Sequence, residues 1–133
     1  MEHHRHDARA ATHGTFPTDA SGLPEVRPTR IVDLADGGEL HLKIAPVAKH
    51  LGANLVRMLA YNGSIPGPTI RVPQGATVNV HVTNDSGVET TVHWHGLRLE
   101  NAYDGTHQTQ TPIPAGGSFS YRVKCGTIRR TRA

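Results

Sequence analysis

From Thr29 onward the chain is interrupted every few residues by Pro- and Gly-rich punctuation, and that spacing limits its fold more than any other feature. The breaks fall at 66–68, 73–75, 84–87 and 114–117, and no stretch between them shows a convincing helical period. Between them apolar and polar residues alternate, most cleanly in Glu39-Leu40-His41-Leu42-Lys43-Ile44-Ala45. Period two is the strand period, because successive side chains point to opposite faces of a sheet. The same reasoning predicts strands at 55–61, 69–72, 77–83, 90–97 and 118–123. Residues 30–34 and 39–45, on either side of Asp36-Gly37-Gly38, predict a hairpin, and 46–54 a connection able to hold a short helical turn. Many short strands without a long helix mean an antiparallel sandwich or barrel.

A chain of 133 residues with 36% hydrophobic content has room for one domain with its own core. Residues 1–29 lack periodicity and are rich in Pro, Gly, Thr and His, so they are predicted to be a flexible arm. Its His3-His4-x-His6 cluster can pick up Cu²⁺, Ni²⁺ or Zn²⁺ adventitiously. The domain is predicted at 30–123 and a divergent basic tail at 124–133. Residues 122–133 carry five basic and no acidic groups, whereas 31–121 carry five basic and seven acidic. The net charge of +3 is therefore a property of the tail and not of a nucleic-acid-binding face. No apolar run approaches a membrane span, and the first residues contain no apolar signal-peptide core. One cysteine, Cys125, permits no internal disulfide and is predicted to be a free thiol without a role.

The chemistry concentrates in Thr91-Val92-His93-Trp94-His95-Gly96. On a strand, His93 and His95 share a face and present two imidazoles to one metal, with Trp94 on the other face. Imidazole serves copper, zinc, iron and nickel, so spacing alone does not choose among them. His41 and His81 are expected to be half-exposed strand residues, and His50 and His107 loop residues, none of them with a metal role.

The ordered series around this pair carries further information. Upstream stand Tyr61-Asn62-Gly63-Ser64-Ile65-Pro66-Gly67-Pro68-Thr69-Ile70 and Gly75-Ala76-Thr77-Val78-Asn79-Val80-His81-Val82-Thr83-Asn84. Downstream stand Tyr103-Asp104-Gly105, Gln108 or Gln110, and Pro112 to Tyr121. Over residues 55–123 this series resembles the first cupredoxin domain of the multicopper oxidases, the family of laccases and bacterial copper oxidases. The resemblance implies an all-β, Greek-key cupredoxin-like β-sandwich, here incomplete at the C-terminus. It implies copper as cofactor, with His93 on the type 2 ion and His95 on one of the paired type 3 ions. Asp104 falls where similar enzymes carry an acidic residue near the type 2 copper, a catalytic role in orienting water or relaying protons. It reads equally well as a plain Asp-Gly turn. Gly96 is expected to permit close backbone approach.

Copper ions and O₂ are the partners this resemblance implies, together with further cupredoxin domains. A complete trinuclear centre in the family draws on several His-x-His motifs, and the blue-copper site adds a cysteine, more histidines and usually a methionine. One such motif is present here, which suggests a copper-binding N-terminal fragment, inactive alone. A stand-alone copper-buffering module and a metal-free β-sandwich interaction domain are the alternatives. Relatives are commonly periplasmic or secreted. The reducing substrate is not encoded in these residues.

Overall fold

The computed structural model describes residues 16–126. Strands β1 (Ile31–Asp33), β2 (Glu39–Leu51), β3 (Asn54–Tyr61), β4 (Thr69–Arg71), β5 (Thr77–Asn84) and β6 (Ser118–Lys124) are accompanied by a short 3₁₀ turn at Asn101–Tyr103. They form a four-stranded sheet in the order β3-β2-β5-β6 and a two-stranded sheet of β1 and β4. The expected all-β architecture is present.

Alternation decides which face is buried. Leu40, Leu42 and Ile44 of β2, Val78, Val80 and Val82 of β5, and Tyr121 and Val123 of β6 form one core, joined by Val92 and Ile113 from the long loop. Each fully buried aliphatic side chain of this kind contributes about 1.5–3 kcal/mol relative to exposure. The intervening residues Glu39, His41 and Lys43 of β2 face outward.

The connectivity departs from expectation in four places. The hairpin at 36–38 does not form. The turn is present, but Gly37 donates its N–H to Thr77 O and the flanking strands diverge. β1 pairs in parallel with β4, while β2 pairs in parallel with β5 and antiparallel with β3. Residues 46–54 are not a helical connection, because β2 continues through them to Leu51, which places His50 in a strand. Pro46 is tolerated there because the ladder with β5 has already ended at Ile44–Asn84, so no ladder bond is lost on that side.

Beyond that point residues 24–26 line β2, through Ala48 N–H to Pro24 O and Val26 N–H to Ala48 O. Residues 24–28 therefore belong to the folded unit and not to an arm, whereas His3, His4 and His6 lie outside the described residues. Last, 90–97 is not a strand. Its ladder is a single bridge between Thr90 and Ile113.

Candidate metal centre

His93 and His95 sit in the long loop between β5 and β6, in a segment fixed by contacts made one at a time. Thr90 and Ile113 exchange backbone bonds at 3.0 and 2.7 Å. The Val92 N–H, with no strand partner, donates to the Tyr121 hydroxyl at 3.0 Å, and that hydroxyl donates to Gln110 Oε1 at 2.9 Å. Tyr121 is fully buried. Burial raises its phenol above the usual tyrosine range, although its hydrogen bonds pull the other way, so it remains an O–H donor at neutral pH. Trp94 turns inward, edge-on to the Tyr121 ring at 6.0 Å.

The two histidines stay on the opposite side from Trp94, with ring centroids 5.9 Å apart and planes inclined at 71°. The same-side pairing expected of a strand survives although the strand does not. Gly105 brings the second wall of the site into place. At φ +72° it packs so tightly that an added Cβ would lie 1.8 Å from Val92 O, so any side chain there would displace backbone. This approach sets the neighbouring Asp104 carbonyl 2.6 Å from His93 Nδ1.

That bond fixes the imidazole chemically. A carbonyl oxygen only accepts, so Nδ1 must carry the proton and Nε2 is left as the free lone-pair donor. Metal-binding histidines are commonly held this way by a carbonyl or carboxylate on the other nitrogen. The Asp104 carboxylate lies farther away, with Oδ1 3.8 Å from His93 Nδ1. His93 and His95 are both exposed, and neither His93 Nε2 nor His95 has a hydrogen-bond partner among the described residues. The donor set fits copper: two imidazoles, one pre-oriented, both open to an ion. Among the described residues, no group of three or more His, Cys, Asp or Glu side chains could hold a metal ion. The pair by itself does not make a complete site.

The family model described as "Multicopper oxidase" matches residues 46–131, well over half of the chain. The chain belongs to the multicopper oxidase family. Multicopper oxidase MmcO of Mycobacterium tuberculosis is 39% identical over 102 residues, covering 71% of this chain and 20% of that protein. Laccase-9 of Arabidopsis thaliana is 40% identical over 89 residues, covering 62% and 14%. Among solved structures, the blue copper oxidase of Nitrosomonas europaea superposes with a TM-score of 0.64 at 34% identity, covering 67% of this chain and 29% of that one. This multicopper oxidase chain therefore spans a fifth or less of the two curated relatives just named. Its fold is the cupredoxin-like β-sandwich of the family, and copper is the cofactor that membership implies.

Two readings from sequence change here. The family match runs to residue 131, past the boundary expected at 123, and β6 itself reaches Lys124 with Cys125 N–H bonded to Ala76 O. The proposed tail is thus neither wholly divergent nor separate from the sheet. Gly96 does not serve close approach: a Cβ there would meet nothing within 4 Å, and its role is its φ of +81°. Gly105 and Tyr121 are the positioning residues that periodicity could not single out. The Asp-Gly pair was the available signal for the first, and nothing in the sequence linked Tyr121 to Val92.

Proposed function

We propose that this chain supplies part of the trinuclear copper centre of a multicopper oxidase, with His93 on the type 2 ion and His95 on a type 3 ion. The intact protein would couple one-electron oxidation of a substrate to four-electron reduction of O₂ to water. The observation that carries this reading is the His93 Nδ1–Asp104 carbonyl bond, which leaves Nε2 aimed outward beside an unencumbered His95. Copper, when bound, supplies the one-electron redox steps that dioxygen reduction requires. The residues of this chain position that chemistry. Gly105 and Tyr121 lock the His93 backbone, the Asp104 carbonyl fixes the tautomer, and the Asp104 carboxylate stands ready to orient water or pass a proton.

Two imidazoles make an incomplete centre, so the remaining ligands come from further cupredoxin domains, which are the chain's macromolecular partners in this proposal. No nucleic-acid partner is proposed, and no helix among the described residues is long and apolar enough to cross a membrane. The test is aerobic turnover. The copper-loaded chain should not consume O₂ with a phenolic or cuprous substrate at an enzyme-like rate. Sustained turnover that survives chelation of loosely held copper and vanishes in His95→Ala would contradict the partial-site proposal.

A further inference from the structure

A second pair of histidines lies on the outward face of the four-stranded sheet, in the part of the molecule that the oxidase reading leaves unused. His41 of β2 and His81 of β5 are in register across a parallel ladder. Their ring centroids are 5.0 Å apart and their planes inclined by 30°. Strand pairing alone enforces this approach, because neighbouring strands lie about 4.8 Å apart.

The two rings are not equivalent. His81 Nδ1 is 2.7 Å from Ser120 Oγ on β6, which holds the ring from one side. Its Nε2 lies 3.4 Å from Glu39 Oε1, a long contact that an ion bound at Nε2 would replace. His41 has no side-chain hydrogen bond among the described residues and is exposed, so its ring is free to turn. Of the cations on the same face, Lys124 is exposed at the end of β6, while Lys43 pairs with Asp85 at 3.0 Å and Arg122 with both oxygens of Glu100 at 3.0 and 3.1 Å. Neither Lys43 nor Arg122 is needed to neutralise Glu39, whose carboxylate remains beside the imidazoles.

We propose that His41 and His81 form a second, surface-exposed site for a divalent transition-metal ion, with Cu²⁺ the preferred occupant. Two imidazole nitrogens converge on the ion, water completes its coordination, and Glu39 lowers the local potential. Two nitrogens without thiolate favour the borderline metals, and affinity among them rises towards Cu²⁺. Binding requires a ring nitrogen with a free lone pair on each imidazole. Because the pair spans β2 and β5, the ion ties the two central strands together.

The test is calorimetric titration of Cu²⁺ into the full-length chain carrying His3→Ala, His4→Ala, His6→Ala, His93→Ala and His95→Ala, which silences the terminal cluster and the loop pair. One Cu²⁺ should still bind, and adding either His41→Gln or His81→Gln should weaken it at least tenfold. Both substitutions are on the surface and leave the core intact, which circular dichroism verifies. Ser120→Ala, which only releases the His81 ring, should weaken binding less. Affinity that is unchanged by both glutamine substitutions, or that depends on only one of the two histidines, overturns the site.

Discussion

The four-stranded sheet and the loop from 85 to 117 are held together by different physics. In the sheet, order comes from repetition: ladders run without a break along β2–β3, β2–β5 and β5–β6, over a continuous apolar face. No single residue is decisive there, since a lost contact is flanked by others of the same kind. The loop has no strand, and a few individual contacts hold it. Asn84 closes both its ends, exchanging backbone bonds with Gly116 and Gly117 while its buried amide reaches the carbonyls of Val88, Ile113 and Pro114. Tyr121 and Gly105 then fix the centre. The proposed metal ligands lie where order depends on single residues, so point substitutions should separate the two regions.

The largest effect is expected from Asn84→Ala. It removes a fully buried amide that donates to three carbonyls and accepts from the Ser86 N–H and hydroxyl; the carbonyls keep a second donor, so the loss is that of the bonds themselves, about 1 kcal/mol each. A destabilisation of about 4 kcal/mol is predicted by urea unfolding. A value under about 1 kcal/mol would mean that the loop closes without this residue. Gly105→Ala should follow at about 3 kcal/mol, since it combines positive-φ strain with a collision against the Val92 backbone. It should also move Asp104 off His93.

How much of this was legible in the sequence follows the same division. The strands β3, β4, β5 and β6 and the first half of β2 were readable because alternation is a local property that survives any choice of partner. What alternation could not supply was the partner, so β1 and β2 read as a hairpin although they pair with β4 and β5. The chain at 90–97 has strand-like composition, yet its amide at Val92 is satisfied by a side chain 29 residues away, a long-range arrangement with no local trace. His93 and His95 were found because the motif itself is local. Of their second wall, Asp104 was legible through the resemblance or as an Asp-Gly turn, but its backbone carbonyl contact with His93 was not, and the His41–His81 pairing was invisible until β2 lay against β5.

Smaller effects sharpen the contrast. Tyr121→Phe keeps the buried ring and removes one hydroxyl, leaving the Val92 N–H and Gln110 Oε1 without that partner, at a cost of about 1.5 kcal/mol. Hydrogen exchange at the Val92 amide should accelerate while that of Val80 and Val82 in β5 stays unchanged. Equal acceleration in both would show that loop and sheet open as one unit. Gly96→Ala should be the mildest change, about 1 kcal/mol, because its backbone strain is not accompanied by any collision. A cost as large as that of Gly105→Ala would refute the distinction between the two glycines.

Copper binding by the loop pair tests the central claim most directly. The full-length chain carrying His3→Ala, His4→Ala, His6→Ala, His41→Gln and His81→Gln is titrated with Cu²⁺ and followed by electron paramagnetic resonance, with and without His93→Ala/His95→Ala. The expected result is a weak, chelator-labile Cu²⁺ signal with nitrogen ligation that disappears in the double variant and is diminished in Gly105→Ala. Copper binding of the same strength and spectrum with His93 and His95 removed would contradict the assignment of these two residues as ligands.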